Sequence, residues 1–189
     1  MNPVETLMGE HRIIERTLDA LVAWATGMVN RDADERTELD RFVTFVRDFV
    51  DPVHHGKEED ILFVTLVEHG FSREQGPIAV MLHEHEECRA FIQALAAMAH
   101  QANPWTEGER RQVARAAFGY AELLRQHIHK EDQILFPMSE ARLPEAAKAK
   151  IAAGFARFET EKANPAERSR LLGLAESFVS RHAPGGGAR

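Results

Sequence analysis

The stretch HHGKEEDILF, residues 54–63, returns as HIHKEDQILF, residues 127–136. Each copy writes a His, a Glu four positions later, and then Ile-Leu-Phe. Four positions is about one helical turn, so His54 with Glu58, and His127 with Glu131, each offer a nitrogen and a carboxylate on one helix face. A surface pair of this kind adds only about 0.2–0.5 kcal/mol to a helix. That gain gives no reason to repeat the motif in the same register.

Working outward from the motif, apolar positions at steps of three and four mark four amphipathic segments. The first runs Val4, Leu7, His11, Ile14, Leu18, Leu21 and Ala25. The second runs Leu39, Val43, Val46, Val50, His54, Glu58 and Leu62, widened by Phe42, Phe45 and Phe49. The third runs Ile78, Met81, His85, Cys88, Ile92 and Leu95, and the fourth Val113, Ala117, Tyr120, Leu124, His127, Glu131 and Ile134. Every stripe is interrupted by His, or by His and Glu. Turn-forming residues break the chain at 30–34, 70–77 and 103–106. Short connections make neighbours antiparallel, so the pattern predicts an all-α fold, an up-and-down antiparallel four-helix bundle. Residues level with each other in a hairpin are equidistant from its turn. The midpoints of 11 and 54 (32.5), 58 and 85 (71.5), and 85 and 127 (106) all fall in the breaks. Glu10-His11 with Leu21, and Glu84-His85 with Leu95, extend the repeat to the first and third helices and imply approximate internal twofold symmetry.

His11, His54, Glu58, His85, His127 and Glu131 are thereby expected in one layer of the core. Buried imidazoles and carboxylates are costly unless they share a partner. Two metal ions fit the count, each with two imidazoles, and with Glu58 and Glu131 bridging, as inward carboxylates do in other bundles. Mixed nitrogen and oxygen ligation leaves iron, manganese and zinc open. Glu59 and Asp132, five positions after His54 and His127, are alternative bridges, but Glu58 and Glu131 keep both the stripe and the repeat. Of the other histidines, His55 and His129 lie off the stripe, and His83 is roughly 200° around the helix from His85. All three are read as turned elsewhere, either on the exterior or as groups behind the ligands. His69, His100 and His182 fall at helix ends or in the tail and are read as surface residues.

With these residues in hand, the chain resembles the hemerythrin-like, or HHE cation-binding, family over residues 1–140. The resemblance rests on one His in the first helix (His11), HxxxE in the second (His54, Glu58), a His in the third (His85) and HxxxE in the fourth (His127, Glu131). It implies a bundle holding two iron ions, rather than manganese or zinc, bridged by the two carboxylates and usually by an oxo or hydroxo group. In one respect the chain departs from the pattern. Oxygen carriers of this kind have a second His one turn earlier on the third helix, where Met81 stands here, and an Asp five residues after the fourth-helix His. A missing fifth histidine leaves positions open on the ions, which favours reaction over clean reversible storage. The resemblance therefore implies binding of, or reaction with, O2, peroxide or nitric oxide, including a weak oxidoreductase activity. Two alternatives stand beside it: a sensor or iron-buffering module without turnover, and a structural metal site that zinc could fill. Tyr120 and Cys88 belong beside the centre by position. Tyr120 reads either as a hydrogen-bonded core residue or as a ligand, donor or radical relay; Cys88 reads as a small buried residue.

Composition sets outer bounds. The 189 residues are 44% hydrophobic and 28% charged, with a formal net charge of −7 and a single cysteine. No intrachain disulfide can form, and no Lys/Arg block suggests a nucleic acid or an anionic membrane as partner. The N-terminus has no signal-like apolar run, and the expected location is the cytoplasm. Residues 141–182 read as two further amphipathic helices, split at Asn164-Pro165. They are expected to cap the metal end of the bundle or to form an interface with a second copy or a redox partner. Residues 183–189 read as a disordered Gly-rich tail.

Overall fold

The structure is a computed structural model that describes residues 2–29, 35–162 and 165–182. The break at 30–34, Asn164 and the tail at 183–189 lie outside the described residues.

Helix α1 (Pro3–Met28) begins where Asn2 Oδ1 accepts the Val4 amide hydrogen at 2.9 Å, with Pro3 in the first turn. A short polar side chain and a proline there satisfy or remove donors that a helix start leaves free. Helix α2 spans 36–68 without a break in the chain's coiling, but its winding changes. It is α-helical over Arg36–Phe45, π-helical over Val46–His55 and Glu58–Leu62, and α-helical again over Phe63–Glu68. Pro52 sits inside the first π segment. A proline inside a helix removes a donor and crowds the preceding turn, and the wider π turn, bonded i to i+5, relieves that crowding. Gly70 and Gly76, with φ of 90° and 72°, make the turn before α3 (Pro77–Ala99). Helix α4 (107–142) opens on a capping box in which Thr106 and Glu109 satisfy each other's amides. It contains a third π segment at Glu131–Leu135 before closing at Arg142. Helices α5 (Glu145–Lys162) and α6 (Pro165–His182) follow.

The described residues are helical without a strand, and none of their helices is long and apolar enough to cross a membrane. Among the first four helices, α1 and α3 each pack against both α2 and α4. Helix α6 lies along α1 and α2, and α5 lies against α1 and the π turns of α2. Ile151, Phe155 and Phe158 of α5 and Leu171, Ala175 and Phe178 of α6 are buried. Both added helices thus cover the chain's own flank.

Two apolar clusters fill the interior. One contains Leu18, Trp24, Phe42, Phe49, Leu124, Tyr120 and Phe178; the other contains Leu7, Leu62, Phe63, Met81, Leu135, Phe136 and Phe155. Between them sits a buried polar layer that includes His11, His54, His55, Glu58, His85, His127 and Glu131. The π turn corrects one expected position. Ile134 was expected on the inward stripe three residues after Glu131, but it is 49% exposed while Leu135 is buried. A wider turn needs four residues, not three, to return to the same face. The first copy keeps the same phase, from Glu58 to Leu62.

Candidate metal centre

In each HxxxE pair the Glu opens a π turn in mid-helix, level with a histidine from α1 or α3. His11, His54, His85, His127, Glu58 and Glu131 are each at most 1% exposed. Together with His55 they form two groups that share Glu58. His11, His54, Glu58 and Glu131 make one, and His55, Glu58, His85 and His127 make the other, with the ligand-capable atoms of each group within 4.8 Å of one another. The two carboxylates lie between the groups. Glu58 places Oε1 3.5 Å from His54 Nε2 and Oε2 3.5 Å from His85 Nε2. Glu131 Oε2 is 3.2 Å from His11 Nε2 and 3.3 Å from His127 Nε2.

Outside this ring of atoms, each of the four expected histidines turns its other nitrogen to a carboxylate. Nδ1 of His11 faces Asp132 at 2.7 Å, that of His54 faces Glu10 at 3.0 Å, that of His85 faces Glu59 at 2.6 Å and that of His127 faces Glu84 at 3.1 Å. An ionised carboxylate only accepts, so Nδ1 carries the hydrogen and a neutral ring is left with its Nε2 lone pair facing inward. A cation stands behind each carboxylate. Lys57 holds Glu10 at 2.5 Å, Arg89 holds Glu59 at 2.6 Å, Lys130 holds Glu84 and Arg12 holds Asp132. The repeat runs through this layer too. Glu10 of α1 serves His54 and Glu84 of α3 serves His127, while the second copy's Asp132 and Phe136 serve His11 and the first copy's Glu59 and Phe63 serve His85. The Phe136 ring stacks on His11 at 5.5 Å and Phe63 on His85 at 6.1 Å. That explains why Ile-Leu-Phe follows each pair. Glu59 and Asp132, the alternative bridges, lie on the outer nitrogens instead of between the two groups.

The charge state of the layer points the same way for two of the four rings, His54 and His85. Burial works downward on His11 and His127 as well, but Asp132 with Glu131 raises His11, and Glu131 with Glu84 raises His127 to about 9, so those two rings release a proton when they take a metal. Burial, and next the charge of Glu131, push the Glu58 carboxyl well above its ordinary value. Burial acts likewise on Glu131 but is outweighed by His127 and His11, which hold it well below. Burial brings His54 down to about 3 and takes His85 well below its usual value, which leaves both rings neutral. For Glu10 burial works upward, but His54 and Lys57 outweigh it and set the carboxyl at about 2. The His54–Glu10 contact is therefore a neutral N–H donating to a carboxylate whose charge is matched by Lys57.

A metal ion is tested by the atoms left over. Both oxygens of Glu58, both oxygens of Glu131 and Nε2 of His11 are buried without a hydrogen-bond partner. Buried polar atoms are nearly always satisfied, and these converge on the space between the two groups. A cation satisfies them together, so the residues fit a metal.

His55 departs from the expectation that it points away. It is 1% exposed, its ring stacks on His85 at 3.9 Å, and neither of its nitrogens has a hydrogen-bond partner. Two consecutive residues, His54 and His55, face inward here, as His127 and Ile128 do in the other copy. A signal was available in the repeat, where the matching residue, Ile128, is an apolar core residue. The repeat marks Glu10 and Glu84 in the sequence, but only the fold shows that they face His54 and His127. His129, His83, His69 and His100 are exposed as expected, and His182 faces Glu38 at 2.7 Å. Met81 is buried in the apolar cluster beside Leu7 and Phe63. Tyr120 is fully buried, edge-on to Phe42 at 5.8 Å, with a hydroxyl that lacks a partner. Cys88 is 2% exposed, and burial, aided by Glu84, raises its thiol to about 12. Below that pH it is a neutral thiol. A cavity of about 340 Å³ between α2 and α3 is lined by Arg47, Asp51, Arg89 and Gln93 and includes His55, Cys88 and Tyr120 in its wall.

An all-helical protein with paired His and Glu clusters of this geometry is a helical domain compatible with a metal site. The chain belongs to the hemerythrin HHE cation-binding domain family, whose model matches residues 2–139. No curated protein and no solved structure matches it.

Proposed function

We propose that this chain is a non-haem di-iron protein that binds or reacts with O2, peroxide or nitric oxide. In this reading an up-and-down four-helix bundle holds one ion at His11 and His54 and the other at His85 and His127, with Glu58 and Glu131 as bridges. The observation that carries it is the pair of four-residue groups sharing Glu58, with every oxygen of Glu58 and Glu131 between them buried without a hydrogen-bond partner. Bound iron supplies redox-active positions that small oxidants can occupy.

The residues of the chain supply the rest. The outer carboxylates fix each imidazole's tautomer and orientation, the cations behind them hold those carboxylates in place, and the apolar clusters on either side exclude bulk water. The cavity beside His55 and Tyr120 admits molecules of diatomic or peroxide size. A sensing or iron-buffering role has one observation of its own. Arg168 of α6 lies 3.3 Å from Glu10, and Glu159 of α5 lies 3.0 Å from Lys57, which ties both added helices to the histidine-orienting layer.

Optical spectra of the aerobically purified, metal-loaded protein test the proposal. Absorption in the near ultraviolet and lower visible range that changes on adding peroxide or nitric oxide is expected. A fully metallated protein that stays colourless and inert to both is a redox-silent site, and the di-iron reading falls.

A further inference from the structure

We propose that His55 is a fifth imidazole ligand, the third nitrogen donor to the ion held by His85 and His127, so that the two ions of the centre are unequally ligated. This rests on the two-ion reading above.

Four observations converge on it. His55 is 1% exposed and belongs to the group whose donor atoms lie within 4.8 Å, with Glu58, His85 and His127. Both of its ring nitrogens lack a hydrogen-bond partner, although buried imidazoles nearly always find one. The internal repeat supplies a control. The matching position in the second copy is Ile128, also 1% exposed, so packing there is met by an apolar side chain and does not call for an imidazole. Finally, the ring backs onto the same pattern as the other four. Asp51 Oδ1 lies 3.5 Å from His55 Nδ1, and Arg89 holds Asp51 at 2.8 Å with the same guanidinium that holds Glu59 behind His85. At 3.5 Å Asp51 is near enough to orient the ring as a neighbour but not to satisfy it. The nitrogen on the far side from Asp51, Nε2, is the one free to donate a lone pair.

The consequence is asymmetry. One ion takes three imidazoles and the other two, with Glu58 common to both groups. The cavity wall includes His55 and Tyr120, so the cavity lies against the group that would hold the three-imidazole ion.

The test uses the full-length chain in three forms: wild type, His55→Ile, which copies residue 128, and His55→Ala with and without added imidazole. Each apoprotein is melted and then titrated anaerobically with cobalt(II), following its visible absorption. The apo form of His55→Ile is expected to melt at or above the wild-type temperature, since an unsatisfied polar ring is replaced by an apolar side chain. One of its two ions is expected to bind at least about tenfold more weakly, with an altered cobalt spectrum. Added imidazole is expected to restore the spectrum of His55→Ala. Variants that bind both ions with wild-type affinity and spectrum overturn the proposal. So does failure of both apo variants to fold, which would make the ring a packing element. A wild-type chain that binds no pair of ions removes the two-ion reading itself, whereas a wild type and variants that all bind two ions alike remove only the role of His55.

Discussion

Each imidazole of the centre has a defined partner on its outer nitrogen, and Glu10 shows most clearly what that arrangement is worth. Its carboxyl is 2% exposed and sits at about 2, against an ordinary 4.5, because His54 and Lys57 outweigh its burial. A shift of this size corresponds to stabilisation on the order of 3 kcal/mol. The folded-state value lies below the unfolded one, so this stability is fully present above pH 4.5 and is lost as pH falls through about 2. In Glu10→Gln the metal-free chain is expected to lose roughly 3 kcal/mol at neutral pH, with the gap from wild type closing in acid. Denaturant unfolding of both proteins across pH 2–7 reads this out. A gap that stays constant with pH would show that the carboxylate charge is not what Glu10 contributes. At this scale the sequence was legible where an ionisable residue interrupts an apolar stripe, as His11, His54, Glu58, His85, His127 and Glu131 do. It was not legible for the orienting carboxylates, because Glu59 and Asp132 look like bridges until a fold places His85 and His11 beside them.

At the scale of the element, the π turns account for what helical-wheel reasoning at 3.6 residues per turn gets wrong. They place Leu135 in the core while Ile134 faces solvent. A helix boundary or a break leaves Gly, Pro or Asn as a mark; a change of winding inside a continuous helix leaves almost none, and Pro52 is the one local hint. The phase is directly measurable. Leu135→Ala is expected to cost about 2–5 kcal/mol, as large-to-small core substitutions do, and Ile134→Ala to stay within about 0.5 kcal/mol. Thermal or denaturant unfolding of the two variants checks it. Equal losses, or a larger one at Ile134, would return the fourth helix to regular α winding.

At the scale of the whole molecule, α5 and α6 are bound into the centre's outer layer as well as into its apolar flank. Phe155 belongs to the core cluster that contains Leu7 and Met81, and Phe178 to the one that contains Leu18 and Trp24. Lys57, fully buried, depends on Glu159 as well as on Glu10. A Cβ at Gly56 would come within 2.7 Å of the Phe158 ring, so α5 approaches α2 in the very turn that carries His54, His55 and Glu58. Sequence patterning revealed two amphipathic helices in need of a surface, but not which surface, since an apolar stripe carries no address. A chain ending at Arg142 is expected to melt at a lower temperature and to retain less metal, measured by calorimetry and elemental analysis. An unchanged melting temperature with full metal retention would make the two helices a detachable module and strengthen the sensor reading.

The claim on which the rest depends is that Glu58 and Glu131 hold a pair of ions between four histidines. Elemental analysis of iron per chain in wild type, Glu58→Ala and Glu131→Ala, each loaded anaerobically with iron(II) and freed of excess, tests it most directly. The expected result is about two irons per wild-type chain and a marked loss in both variants, because the ions' mutual repulsion is then poorly offset. Iron near the wild-type value in both variants, or a wild-type chain that retains none, would contradict it.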